Sequence, residues 1–380
     1  MKKAIVVGCG LSGAVVARQL AEADYSVTIL ERRNHIAGNM YDYVDQHGFL
    51  VHKYGPHTFH TKKKKLYDYM CRFGKWQEFK LTCGAEIDGK CTPTPFNFQT
   101  IDDFYTRTKA IELKEHIRIA FGDRKTATVV EMLEHPDVII REFAEFLFDK
   151  DYSLYTAKQW GVSPKEIDPS VLKRVPIRFS YDVGYFDDEY QVMPTVSYTE
   201  WFKKILNHTN ITVHLGIDAL QHIEIKDNEL LFDGKRSDIP VIYTGALDEL
   251  FKHKYGALPY RSLIFEWKYS DKESYQDMPV VAYPQAKKYT RITEYKKLPI
   301  QNKNGTSYAI EYPIIHEYKS GSEPYYPVLT ERSKEQYTRY RALAKKVKKL
   351  YLCGRLADFK YFNMDQALER ALEIASIIMH

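Results

Sequence analysis

Ala4-Ile5-Val6-Val7-Gly8-Cys9-Gly10-Leu11-Ser12-Gly13-Ala14-Val15-Val16-Ala17 opens the chain, and Val27-Thr28-Ile29-Leu30-Glu31 follows it. The first apolar run reads as a buried strand. It feeds a turn whose three glycines leave no room for side chains, and a helix begins at once. Backbone N–H groups and a helix N-terminus can then face a pyrophosphate, and an acid about 20 residues later accepts from a ribose hydroxyl. Gly-x-Gly-x-x-Gly alone also arises in ordinary tight turns. Here the strand before it, the helix after it and Glu31 closing the next strand make it a dinucleotide fingerprint. The cradle expected from this stretch is Gly8, Gly10, Gly13, Glu31 and Arg32. Two arginines and a second glycine turn follow in Glu31-Arg32-Arg33-Asn34-His35-Ile36-Ala37-Gly38-Asn39. A simple NAD domain needs no such extension, so FAD is expected rather than NAD.

The 380 residues suffice for two or three domains, and 44% hydrophobic with 28% charged residues is an ordinary globular composition. No apolar run approaches the roughly 18 residues of a membrane span, and the N-terminus enters a strand without a signal-peptide pattern. A cytoplasmic protein is expected. A net charge of +5 suits an anionic small molecule and falls short of a nucleic-acid binder. Cys9, Cys71, Cys83, Cys91 and Cys353 are odd in number and form no Cys-x-x-Cys pair, so they read as reduced and structural. The run Lys62-Lys63-Lys64-Lys65 reads as a solvated helix start. Thirty tyrosines fit a cleft that holds a base or a sugar, although core packing accounts for most of them.

Apolar spacing predicts helices over 62–80 and 100–150, with Pro93, Pro95 and Gly89 marking the loop between them. Short extended runs over 176–200 and alternating Tyr, Ile, Val and Thr over 257–330 predict an antiparallel sheet. Ile211 to Gly216 and Val241 to Gly245 read as buried strands that rejoin the first domain. Leu350-Tyr351-Leu352-Cys353, the turn Gly354-Arg355 and a helix from Met364 to Met379 repeat the opening logic, with Asn363 and Asp365 as capping residues at a helix start that would point at the flavin. The expected fold class is α/β, a Rossmann-like FAD-binding domain with an inserted helical domain and an antiparallel β-sheet domain. The boundaries read as 1–80, 205–255 and 340–380 for the FAD-binding domain and 81–175 for a mainly helical domain with a mobile loop near 165–178. The sheet domain that takes the substrate reads as 176–204 and 256–339.

The remaining segments are polar, aromatic and unlike core sequence. They are Tyr54-Gly55-Pro56-His57-Thr58-Phe59-His60-Thr61, Tyr155-Thr156-Ala157-Lys158-Gln159-Trp160-Gly161, Leu172-Lys173-Arg174-Val175-Pro176-Ile177-Arg178-Phe179, Tyr289-Thr290-Arg291, Glu323-Pro324-Tyr325-Tyr326-Pro327 and Gly354-Arg355-Leu356-Ala357-Asp358-Phe359-Lys360-Tyr361. His57 and His60, three apart, could share a helical face and bind a metal, but no third ligand of matching kind stands near, and no metal is expected. Arg174 and Arg291 offer planar bidentate donors suited to a diphosphate.

Taken together, and with Arg33-Asn34-His35-Ile36-Ala37-Gly38-Asn39, these blocks resemble the bacterial UDP-galactopyranose mutases over nearly the whole chain. The resemblance implies an isomerase that interconverts pyranose and furanose forms of UDP-galactose and acts as a homodimer, in cell-surface polysaccharide biosynthesis. Reduced flavin N5 would be the nucleophile at the anomeric carbon, and NAD(P)H would serve only as external reductant. By the same resemblance Arg174, Arg291 and His60 are the catalytic residues. The cofactor would be held by Gly8, Gly10, Ser12, Gly13, Glu31, Arg32, Gly38, Asn39, His57, Thr58, Val213, Gly354, Arg355, Asn363, Met364 and Asp365. The substrate would meet Tyr152, Tyr155 (stacked on uracil), Thr156, Trp160, Arg174, Tyr185, Arg261, Arg291, Tyr326 and Tyr361. Because neither Arg174 nor Arg291 belongs to the cofactor cradle, their replacement is expected to spare the fold. Asn363, Asp151, Thr195-Val196-Ser197 and Ala282 depart from the family pattern beside the flavin or sugar, which leaves UDP-N-acetylgalactosamine or a 6-deoxy sugar as alternative substrates. A flavin amine oxidase-like oxidoreductase shares the opening fingerprint but has no use for the two arginines and a stacking tyrosine.

Overall fold

A computed structural model describes residues 1–161, 176–317 and 321–380. The opening run forms strand Lys2–Val7 at the centre of a five-stranded parallel sheet. Across the sheet the strands run Ile211–Leu215, Tyr25–Glu31, Lys2–Val7, Val241–Tyr243, Leu350–Leu352. Alternation along a strand sends successive side chains to opposite faces. Ala4 and Val6 enter the core beneath helices Leu11–Glu22 and Met364–Met379, whereas Ile5 enters a second core with Tyr243, Leu247 and Tyr340. The chain therefore builds this sheet from four separate stretches, and the rest is inserted between them.

The largest insertion is a seven-stranded sheet, ordered Tyr326–Pro327, Tyr260–Ser270, Thr306–Ile315, Arg291–Glu294, Val280–Ala282, Cys83–Ile87, Lys90–Thr94. It is antiparallel except where Val280–Ala282 runs parallel to Cys83–Ile87. Helices Phe98–Phe104, Arg107–Phe121, Val129–Leu133 and Val138–Leu147 form a third core around Phe96, Leu113, Ile140 and Phe143. A wide turn at Phe148–Tyr152 then leads into helix Ser153–Trp160.

The α/β class is as expected, with local differences. Residues 83–94, within a stretch read as mainly helical, form two strands, because Cys83, Ala85 and Ile87 alternate inward against the larger sheet. The helix expected over 62–80 covers only Lys64–Cys71, and Trp76–Glu78 pairs instead with Tyr190–Pro194. The 100–150 stretch is broken into several helices with strand Thr126–Ala127 among them. Ile211–Leu215 joins the parallel sheet at its edge, which leaves His214 and Leu215 exposed rather than buried. Within the lysine run, Lys63 and Lys65 pair with Glu369, and Lys64 with Asp68. All five cysteines are free, and Cys71 is exposed rather than a core residue.

Candidate active site

A deep cavity opens at the carboxyl ends of the parallel strands, where open α/β sheets bind ligands. Its walls include Gly8, Gly10, Ser12, Gly13, Glu31, Arg32, Gly38, Asn39, His57, Gly354, Arg355, Asn363 and Met364. The backbone is shaped for a dinucleotide. No side chain caps the N-terminus of helix Leu11–Glu22, so its first N–H groups are free to face an anion. A Cβ on Gly13 would strike the Gly8 carbonyl, and one on Gly38 (φ +54) would lie 2.8 Å from Gly10 Cα. The two turns thus approach as closely as only glycines permit. Glu31 is 5% exposed. Its oxygens accept from the N–H groups of Cys9 (2.7 Å) and Arg33 (2.9 Å), which fixes the carboxylate at the mouth of the turn. The residues present fit a dinucleotide cofactor.

Some expected cofactor residues lie elsewhere. Val213 is on the edge strand away from these walls, which are supplied instead by Ile217 to Leu220, just past that strand's end. Thr58 and Asp365 are also off the walls. Asp365 accepts from the Thr61 hydroxyl (3.2 Å) and from Gln366 N–H, while Gln366 accepts from Asn363 N–H (2.9 Å) at the helix start. Arg32 lines the cavity as part of a charge cluster, paired with Glu323 (2.7 Å) and Glu249 (3.7 Å), and Arg33 shares Glu323. Tyr243 to Gly245 and Glu323 to Tyr325 complete the walls. The strand-end rule applied to Val241–Tyr243 could have found the first of these groups. The second belongs to the polar, aromatic block Glu323 to Pro327, which stands out in the sequence without pointing to the cofactor side.

Beside this cavity the structure gathers Tyr155, Tyr185, Arg291, Tyr326 and Tyr361. Arg291 stands opposite Glu311 in the strand register, and its Nε donates to Glu311 Oε2 at 2.8 Å. Burial opposes the guanidinium charge, but Glu311, with Tyr155 and Tyr326, holds its pKa well above the usual range. Tyr155 lies within electrostatic reach of Arg291, Glu311, Tyr185 and Tyr326, and burial raises its phenol. Burial and Tyr361 push Tyr326 up to about 12, so both act as neutral hydrogen-bonding groups. Tyr326 and Tyr361 stack with ring centroids 5.3 Å apart. Arg355 lies 5.1 Å from each of those two rings while also lining the cofactor cavity, so the two sites share a wall.

His57 Nδ1 lies 2.8 Å from the Gly55 carbonyl. A carbonyl only accepts, so Nδ1 carries the proton and Nε2 is left as an acceptor. Burial, with His52 second, drives the His57 pKa down to about 3, which keeps it neutral. His60 does not share a helical face with it. It sits on strand Phe59–Thr61, 8% exposed, with Nδ1 2.6 Å from Asp188 and its ring stacked 3.5 Å from Phe186.

Arg261 reaches the end of helix Ser153–Trp160, where Nε donates to the Gln159 carbonyl (2.9 Å) and Nη2 to that of Lys158 (3.2 Å). Tyr152 and Thr156 are buried, Tyr152 against Phe96. Arg174 and the Trp160 side chain lie outside the described residues. Thr195 and Val196 face solvent, Val196 being 65% exposed. Ser197 caps the next helix by accepting from Glu200 N–H (3.0 Å), so these three add no volume to the cavity. Ala282, by contrast, is the cross-strand neighbour of Arg291.

The profile of the family described as UDP-galactopyranose mutase matches residues 150–361, and that of an NAD(P)-binding Rossmann-like domain matches 6–73. A Klebsiella pneumoniae protein named as a probable UDP-galactopyranose mutase is 33% identical, covering 98% of this chain and 94% of its own. The UDP-galactopyranose mutase of Mycoplasma pneumoniae is 33% identical over 99% of this chain and 96% of its own. The dTDP-fucopyranose mutase of Escherichia coli is also 33% identical, over 99% and 98%. Among solved structures, a reduced UDP-galactopyranose mutase superposes with a TM-score of 0.74 at 16% identity over 100% of this chain and 96% of that one. A putrescine oxidase double mutant does so with 0.59 at 12% over 100% and 99%. At such identities the structural likeness is one of fold.

Proposed function

This chain belongs to the UDP-galactopyranose mutase family, and on that premise we propose that it interconverts UDP-galactopyranose and UDP-galactofuranose with FAD in the glycine cradle. The observation that carries the reading is Arg355, whose guanidinium lines the cofactor cavity and lies against Tyr326 and Tyr361. A sugar at those rings would sit next to the cofactor, and a diphosphate would fall within reach of Arg291. Glu311 takes the Arg291 Nε–H and leaves both Nη groups for phosphate oxygens. Tyr155 supplies a face for the base. Reduced FAD, when bound, supplies the nucleophile for the anomeric carbon. The chain's own part is to hold the departing diphosphate, exclude water and align the sugar. His57 Nε2 offers a proton acceptor beside the cofactor. NAD(P)H is the external reductant in this reading, and the enzyme works as a homodimer.

Dithionite-reduced protein should convert UDP-galactofuranose to the pyranose without consuming reductant stoichiometrically. Equal turnover by the oxidised protein would overturn the flavin chemistry. A second reading, the same reaction on a 6-deoxy nucleotide sugar, is favoured by the Escherichia coli relative, as similar as the galactose enzymes, and by Ala282 beside Arg291. Running dTDP-fucofuranose in parallel decides between them. A kcat/KM ratio above about a hundredfold in either direction corresponds to roughly 2.7 kcal/mol and assigns the sugar.

A further inference from the structure

The last turn of helix Ser153–Trp160 is fastened to the seven-stranded sheet by two cations that face carbonyl oxygens. Lys158 Nζ donates to the carbonyls of Tyr283 (2.6 Å), Ala286 (2.6 Å) and Tyr289 (2.8 Å). An ammonium has three N–H donors, and here each has an acceptor. In the other direction Arg261 donates to the carbonyls of Lys158 and Gln159. Gly161 (φ +67) leaves the space this needs, since a Cβ there would lie 2.6 Å from Arg261 Nη1. Burial works against the Lys158 charge, and Asp151 in the wide turn that leads into the helix supports it.

The carbonyls that Lys158 binds belong to the turn joining strand Val280–Ala282 to strand Arg291–Glu294. Arg291 leaves that turn two residues after Tyr289. Tyr155 stands three residues before Lys158, on the same side of its helix. We propose that Lys158 is a positioning residue which, by binding the three carbonyls of the 283–289 turn, fixes the separation of Tyr155 and Arg291 so that the base and diphosphate of one nucleotide are gripped together. The proposal rests on Tyr155 and Arg291 being nucleotide contacts. A lysine that only stabilised the fold would leave ligand discrimination untouched.

The test is titration calorimetry of UDP and of uridine into the full-length holoprotein, the parent beside K158M and K158R. K158M should weaken UDP by about tenfold or more and uridine by less than about threefold, since only UDP needs both grips in register. K158R, which keeps the charge and several donors, should recover most of the UDP affinity. Melting temperature and the flavin absorption spectrum should stay close to those of the parent. If K158M does not fold, Lys158→Gln, with two donors, takes its place and should show the same UDP-selective loss. UDP affinity within twofold of the parent in K158M, equal losses for UDP and uridine, or no recovery in K158R would each overturn the proposal. A parent that fails to bind UDP would refute the UDP-sugar reading itself, and the Lys158 role with it.

Discussion

Replacing Arg291 with Ala should damage stability and catalysis together, and the two losses can be separated. Glu311 is 2% exposed, and its Oε1 has no hydrogen-bond partner among the described residues. Arg291 is the cation that neutralises it. Removing one member of a buried ion pair leaves an uncompensated charge, which typically costs about 3–5 kcal/mol. The double variant Arg291→Ala, Glu311→Gln carries no stranded charge and should recover about 2 kcal/mol or more of the deficit. Neither variant should regain turnover, because the diphosphate has lost a charge-assisted partner worth at least about 2 kcal/mol in the transition state. Urea denaturation at pH 7.5 reads the first effect, and kcat/KM on reduced enzyme reads the second. Single and double variants of equal stability would show that Glu311 does not depend on Arg291. Near-normal kcat/KM in either would show that the diphosphate is held elsewhere. The expectation that replacing Arg291 spares the fold is revised by its ion pair with buried Glu311, which ties the residue to the sheet.

Gly38→Ala should deplete bound flavin and lower the melting temperature, because its Cβ would lie 2.8 Å from Gly10 Cα at a left-handed φ, a strain of about 1–3 kcal/mol. Acid release and chromatography of the parent should yield FAD, with reduced recovery from the variant. Burial holds His52 and His57 down at about 3. The unfolded chain therefore binds more protons below about pH 6.5, and stability should fall as pH is lowered from there. His52→Gln removes one of the two groups, so melting curves recorded between pH 7 and 5 should show a shallower decline. Asp151 has the opposite sign, since burial, opposed by Lys158, raises its carboxyl to about 7. Its folded pKa exceeds the unfolded value near 4, so stability is lost as pH rises between the two. The melting temperature of Asp151→Asn relative to the parent should climb from pH 4 to 7 and then level; a constant difference would refute the assignment.

Residues 4–31 mark the glycine turn of the nucleotide cradle by themselves, because its determinants are local. A strand, a turn that only glycine can make and an acid closing the next strand all lie within one βαβ unit, and pleat and turn chemistry act over neighbouring residues. The sugar-side blocks were also legible as polar, tyrosine-rich segments, but not what each side chain would face. Arg261 and Arg291 are both expected from the sequence to meet the substrate. Tertiary structure gives one to helix carbonyls and the other to a buried glutamate, because Arg291 falls opposite Glu311 when two strands pair in one register. The edge position of Ile211–Leu215, the meeting of Arg32 and Arg33 with Glu323, and the capture of the 283–289 turn by Lys158 have the same origin. Each joins residues far apart in the chain, and the partner of a charge is fixed by which strands align and which faces they bury, a choice made by the assembled core and not by any local stretch.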